Sequence, residues 1–274
     1  MLKQILIPAG ILAGTAAAAL FAMRPYNKRK NIFRKRFKQT YIAHRGLFSL
    51  PDIPENSLPA FAEAADKGYA IELDVQLAKD DRLVVFHDET LQRMCGDPRL
   101  LRELSYEDLQ KLTLSGTKER IPLFEDVLRL VDGRVPLVVE IKPEGRYIQT
   151  TKLTAEVLKK YPGIYCVESF NPVVMLWFRK HRPEVLRGQL STNFKKDGDT
   201  HPRPVQFILQ NMLTNFLSHP DFIAYNHIHA KDPAFRICTR LFNSLNAAWT
   251  IKNEKELKAA KKDFEYFIFD SFRP

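Results

Sequence analysis

The chain has 274 residues, 45% hydrophobic and 27% charged, which suits one large domain or two small ones and excludes a disordered or collagen-like polymer. Its net charge of +10 is unevenly spread: nine of the 42 Lys and Arg precede Gln39 with no acid among them, leaving 33 bases against 32 acids in the remainder. A near-neutral body argues against a broadly cationic nucleic-acid-binding domain, and no nucleic-acid partner is expected.

Gln4 to Met23 is a run of twenty residues without a charge, which as a helix would reach about 30 Å, one hydrocarbon thickness. Eight bases follow it between Arg24 and Lys38, whereas only Lys3 precedes it. That asymmetry predicts a membrane-anchor helix over residues 1–23, a single span with the domain that follows on the cytoplasmic side. A cleaved secretory signal ending near Ala16–Ala18 is the rival, but signals carry their positive charge in front of the apolar run. Residues 24–38, with Phe33 and Phe37 among the charges, read as a basic juxtamembrane linker able to lie on anionic headgroups, so membrane lipid is the partner expected for residues 1–38. Cys95, Cys166 and Cys238 are odd in number and widely spaced, which indicates neither a disulfide framework nor a zinc site; they read as packing residues.

From residue 39 to 274 short β-rich apolar runs alternate with amphipathic ones, the pattern of a parallel sheet with crossover helices in one domain. Strands are expected near Tyr41–His44, Ala70–Val75, Leu83–His87, Leu137–Ile141, Tyr165–Glu168, Arg187–Leu190, Phe222–Tyr225, Ala247–Thr250 and Tyr266–Phe269. Helices are expected over Ser57–Lys67, Tyr106–Leu112, Leu123–Val131, Tyr147–Lys160, Pro172–His181, Pro204–Leu217, Ala234–Phe242 and Asn253–Lys262. The seven residues from Gln76 to Arg82 are too few for a parallel crossover, so the second and third strands form an antiparallel hairpin. Setting the returning strand aside leaves eight, the number that closes a (β/α)8 TIM barrel.

In such a barrel chemistry gathers at the C-terminal ends of the strands, and the polar residues fall there. The first strand ends in His44-Arg45-Gly46. The second carries Glu72 and Asp74 two apart, hence on one face; the hairpin returns with His87-Asp88; the next strand ends Glu140-Ile141-Lys142. Singly each residue has a structural explanation, such as Glu72 pairing with Lys142 or Asp74 capping the hairpin. Together, three carboxylates at one rim repel unless a proton or cation intervenes, and hard oxygen donors without cysteine suit a divalent Mg2+ or Ca2+ ion.

Ala43-His44-Arg45-Gly46, Pro54-Glu55-Asn56-Ser57, Glu72-Leu73-Asp74-Val75 running to Val84-Val85-Phe86-His87-Asp88, Ile121-Pro122 before Glu125-Asp126-Val127-Leu128, Val139-Glu140-Ile141-Lys142, Ser169-Phe170-Asn171-Pro172 and Trp249-Thr250 occur in order. The stretch from about Tyr41 to Pro274 resembles the glycerophosphodiester phosphodiesterase family, most specifically up to Lys142. The resemblance implies a barrel related to the phosphoinositide-specific phospholipases and metal-dependent hydrolysis of a small-molecule glycerophosphodiester to glycerol 3-phosphate and an alcohol. It implies Glu72, Asp74 and Glu140 as metal ligands, His44 and His87 as the acid/base pair, Arg45 and Lys142 as phosphate contacts, and Trp249 as a residue lining the substrate cleft. It also favours attack by the neighbouring glycerol hydroxyl over direct attack by water. Two features depart from the family pattern: Asp80-Asp81 stands at the hairpin tip where Asp-Gly is common, and the chain has no closing helix after its last strand, leaving that side of the barrel to another segment such as the basic arm. The alternatives are a membrane-associated lysophospholipase D acting on lysophospholipids, which an anchor would bring to the bilayer, and a tethered binding module that has lost catalysis.

Overall fold

The computed structural model describes residues 14–274, and within them a barrel is built from strands buried along nearly their whole length. The strands are β1 (Tyr41–Ala43), β2 (Ala70–Leu77), β3 (Leu83–Val85), β4 (Leu137–Ile141), β5 (Tyr165–Ser169), β6 (Leu186–Ser191), β7 (Phe222–Asn226), β8 (Asn246–Ile251) and β9 (Tyr266–Phe269). Continuous Val, Ile, Leu and Phe runs suit strands covered on both faces, with helices outside and side chains filling the interior. Eight strands pair in parallel, and the β1–β2 pairing closes the ring; β3 lies antiparallel on the upper end of β2. The barrel and the hairpin excursion expected from the sequence are therefore both present.

Register aligns the acids. Asp74 pairs with Glu140, and Glu140 with Glu168, so three carboxyl-bearing positions form one row across β2, β4 and β5. Gln76 places the returning hairpin strand, because its side-chain amide donates to the carbonyls of Phe86, His87 and Asp88 at 2.9, 3.1 and 2.8 Å. At the hairpin tip Asp81 takes a left-handed φ of 64°, an Asp in the conformation a glycine would hold more easily.

Helix boundaries follow their caps. Ser57 accepts from the Ala60 amide, with Pro59 in the first turn of Leu58–Asp66, and Gly68 follows the end of that helix at φ 74°. The helix expected over Pro204–Leu217 is instead two, Arg203–Gln210 and Asn215–Ser218. The break falls where Met212 adopts φ 51°, a left-handed turn that the apolar spacing does not announce.

The single span expected over residues 1–23, and with it the membrane-anchored placement with a cytoplasmic catalytic domain, is corrected. Among the described residues no helix is long and apolar enough to cross a membrane. Residues 1–13 lie outside the described residues, and residues 14–23 are helical. The described part of the run, residues 14–23, is only about half the length a span needs, and its end is committed to the barrel: Met23 is buried and its carbonyl accepts from Asn215 Nδ2 at 2.8 Å.

Residues 24–38, expected as a solvated or headgroup-facing linker, pack under the barrel. Phe33 and Phe37 lie four apart on the helix Lys30–Arg36 and its cap and are 2% and 1% exposed. Phe33 stacks on Phe37 with ring centroids 4.6 Å apart and meets Phe222 and Tyr266, the first residues of β7 and β9, at 4.9 and 5.1 Å. The charges are matched as well: Arg29 pairs with Asp221, Lys30 Nζ donates to the Asn243 carbonyl, and Arg34 binds Glu265 through two bonds of 2.8 and 2.9 Å. The arm thus closes the N-terminal end of the barrel. Phe33→Ala is expected to cost about 3–5 kcal/mol, the usual range for an emptied aromatic site, read as a lower urea midpoint at unchanged slope.

Candidate active site

The opposite end of the barrel assembles the residues singled out above. His44 follows β1 directly, and the chain then turns through Arg45 and Gly46 at φ 57° and 83°. A Cβ on Gly46 would lie 2.8 Å from that of Ala60, so glycine is required both for the turn and for the approach of the helix behind it. Glu72 and Asp74 project from β2, Glu140 from β4, and carboxylate oxygens of all three lie within 4.8 Å of one another, buried. His44, Arg45, Glu72, His87, Glu140 and Trp249 line one cavity of about 90 Å³, together with Glu168, Phe170, Leu190, Thr250 and Ile268. Asp74 and Lys142 are buried and pair with lining residues, Asp74 with Arg45 at 3.5 Å and Lys142 with Glu140 at 3.0 Å.

Each acid has a different environment. Glu72 accepts the Arg45 backbone N–H at 2.9 Å, and Asp74 accepts from Asn56 Nδ2 at 2.8 Å. Lys142 Nζ lies 3.0 Å from Glu140 and 3.4 Å from Asp74, so its ion-pair partners are these two acids; the alternative pairing with Glu72 is not formed. Burial would raise the Asp74 carboxyl, but Lys142, His87 and Arg45 together hold it far below the usual carboxylate range. Glu72 is driven well above its ordinary value by burial and by the charges of Asp74, Glu140 and Glu168. Glu140 is also raised, chiefly by burial, with Lys142 opposing.

This imbalance is what a cation would relieve, because three acids converging against Arg45 and Lys142 leave one negative charge uncompensated when all are ionised. Asp74 Oδ1 and Glu140 Oε1 both face Lys142 Nζ, and Glu72, with carboxylate oxygens within 4.8 Å of theirs, has no lysine of its own. The donor set is all carboxylate, and it fits a hard divalent ion.

Each histidine is held through Nδ1 by its own aspartate, leaving Nε2 as the free ring nitrogen. His44 Nδ1 lies 3.0 Å from Asp270 Oδ2, and His87 Nδ1 lies 2.6 Å from Asp88 Oδ1. Asp88 is fixed in turn by Arg93 at 2.6 Å, Arg93 by Glu55 at 2.7 Å, and Glu55 by Arg45 at 2.6 Å, so one chain of charge ties the second histidine to the first turn. Burial lowers the His44 pKa, and the bond to Asp270 partly restores it. The net effect favours the neutral imidazole over that of a free histidine.

Asp270→Asn is expected to lower kcat by about 10-fold or more, since the imidazole loses the partner that fixes its tautomer. Because Asp270 raises the His44 pKa, its removal moves the acid limb of the pH–rate profile to lower pH. A limb that stays in place, or moves up, would show that Asp270 does not serve this ring.

Asp270, Asp88, Glu55, Asn56 and Glu168 were not assigned roles by sequence reasoning. Glu55, Asn56 and Asp88 sat inside the motifs quoted above, so their presence was visible and their partners were not. Glu168 was visible only as an acid closing an apolar strand. Asp270 lies 226 positions from His44, and only the closure of the ring brings them together.

Comparison with known proteins agrees with the geometry. The profile of the glycerophosphoryl diester phosphodiesterase family matches residues 44–264. The Bacillus subtilis protein YhdW is 28% identical over 224 residues, covering 78% of this chain and 86% of its own. A Caldanaerobacter subterraneus glycerophosphodiester phosphodiesterase is 41% identical over 113 residues, 38% of this chain and 46% of that protein. Glycerophosphodiester phosphodiesterase 1 of Bos taurus is 29% identical over 210 residues, 70% of this chain and 62% of that one. Among solved structures, an Oleispira antarctica phosphodiesterase in complex with the product sn-glycerol-3-phosphate shares the fold at TM-score 0.68 and 24% identity, over 85% of this chain and 92% of that one.

Proposed function

The chain belongs to the glycerophosphoryl diester phosphodiesterase family, and from that premise we propose that it hydrolyses small glycerophosphodiesters to glycerol 3-phosphate and an alcohol. The observation that carries the reading is the convergence of Glu72, Asp74 and Glu140 beside two histidines, each braced by an aspartate. These three carboxylates would hold the divalent ion, and magnesium and calcium both suit hard oxygen donors. When bound, the ion supplies positive charge against the phosphoryl oxygens, where negative charge builds in the transition state.

Arg45 and Lys142 add fixed positive charge on the same side. One histidine takes the proton of the glycerol hydroxyl next to the phosphate as its oxygen bonds to phosphorus. The other gives a proton to the departing alcohol oxygen as the P–O bond breaks, and each transfer contributes on the order of 10² to 10⁴ in rate. The cyclic phosphate so formed is opened by water with the roles of the pair reversed. Trp249 and Phe170, edge to face with centroids 5.6 Å apart, give the cavity lining an apolar part. The cavity of about 90 Å³ suits a glycerol unit better than an acyl chain.

A hydrolysis screen tests the reading, with one glycerophosphodiester, its lysophospholipid counterpart, and magnesium or calcium titrated against a chelator. Ion-dependent release of glycerol 3-phosphate is expected. Release of the head-group alcohol from the lysolipid alone would move the substrate class, and binding without turnover would leave a binding protein.

A further inference from the structure

The chain of charge that ties His87 to the turn after β1 has one member that neither histidine touches. Arg93 stands on the short helix Gln92–Cys95, just past the returning hairpin strand, and its guanidinium meets two carboxylates at once. To Glu55 it is bidentate, with Nη1 donating to Oε2 at 2.9 Å and Nη2 to Oε1 at 2.7 Å. To Asp88 it donates through Nε to Oδ2 at 2.6 Å and through Nη2 to Oδ1 at 3.0 Å. A planar fork can hold two carboxylates in this way, whereas the point charge of a lysine cannot.

Both carboxylates are engaged on their far sides by residues of the candidate site. Glu55 Oε1 accepts from Arg45 Nη1 at 2.6 Å, and Asp88 Oδ1 is the oxygen 2.6 Å from His87 Nδ1. Burial would raise the Asp88 carboxyl, but His87 and Arg93 hold it well below the usual carboxylate range, so it accepts and Nδ1 is the donor. Among the described residues the Asp88 carboxylate has no side-chain partner besides His87 and Arg93. Asp88 follows His87 in the chain and would be free to turn about its own side-chain bonds if Arg93 did not fix it. Stability gives little reason for the arrangement, because the Arg93 side chain is 47% exposed and exposed ion pairs contribute little.

The geometry points to Arg93 as the positioning residue of His87: anchored on Glu55, it fixes Asp88, and through Asp88 the tautomer and the plane of the imidazole. The kinetic consequence of this inference rests on the phosphodiesterase reading above, but the state of the ring does not.

Two measurements on Arg93→Ala test it. In long-range 1H–15N spectra at alkaline pH, His87 of the wild type should be the Nδ1–H tautomer, and the variant should show a mixture with Nε2–H. With a glycerophosphodiester and saturating divalent ion, kcat should fall about 10- to 100-fold, the scale of a misplaced reacting group, with KM within a few-fold and the urea midpoint close to that of the wild type. Adding Arg93→Ala to His87→Ala should bring no further loss, since the effect is transmitted through that ring. Guanidinium ion, well below denaturing concentrations, should restore part of the lost kcat, and methylammonium should not. If Arg93→Ala does not fold, Arg93→Lys keeps the charge and the stem and should show the same mixed tautomer and the same loss. An unchanged His87 tautomer overturns the inference whatever the activity. A kcat within about twofold of wild type overturns it as well, as do a full additional loss in the His87→Ala background and equal restoration by methylammonium, which would make charge alone sufficient. A wild type that turns over no phosphodiester removes the phosphodiesterase reading and leaves the spectra to decide the role of Arg93.

Discussion

Replacing either His44 or His87 by alanine is expected to cut turnover of a glycerophosphodiester by on the order of 10² to 10⁴-fold, the value of one positioned acid or base. The two losses should not add in the double variant, because a reaction that needs both proton transfers is stalled by the absence of either. Divalent-ion affinity should stay within a few-fold of wild type, since neither ring belongs to the carboxylate set. Steady-state kinetics with calorimetry on the same preparations separates the two effects. Near-normal turnover in one variant would remove that histidine from the reaction, and a collapse of ion binding would make it a ligand instead.

The second large effect is expected at Glu140. Groups that merely orient metal ligands are worth about 10- to 100-fold in affinity, so losing a ligand charge through Glu140→Gln should cost about 100-fold or more. Turnover should fall with it and recover only in part at saturating magnesium or calcium. The pH dependence has a definite sign. Without the ion, Glu72 and Glu140 hold protons more tightly than ordinary glutamates, so the ion must displace protons in order to bind. Affinity should therefore rise with pH through and above the usual carboxylate range and level off once both groups are ionised. A calorimetric affinity that is unchanged in Glu140→Gln, or independent of pH, would remove Glu140 from the ligand set.

Much of the barrel was legible because its strands are buried on both faces and so form unbroken apolar runs, each ending abruptly in polar residues. The hairpin was legible from simple reach, since seven residues cannot span a crossover. The two helices within Pro204–Leu217 were read as one because a left-handed residue at Met212 leaves the spacing of apolar residues intact. The N-terminal arm was read both as a headgroup-facing linker and as a possible cover for the barrel, because its charge dominates its composition. Phe33 and Phe37, one helical turn apart, carried the contrary signal, while the acids that match its bases lie about 190 to 230 positions away. The candidate site divided in the same way. The groups proposed for the reaction sit inside short motifs, but the partner that orients His44, Asp270, is defined only by the closed ring, while Arg93 reaches Asp88 from five positions on, outside the quoted motif.

The packing of Phe33 and Phe37 beneath the strands also sets where this protein can be trimmed. A fragment beginning at residue 39 looks like a self-sufficient catalytic module, yet it would uncover the rings of Phe222 and Tyr266 and strand Asp221 without its arginine. Such a fragment should aggregate rather than give a minimal enzyme. A serviceable cut lies upstream of Met23, and a purification handle attached there would emerge at the pole remote from the substrate's door.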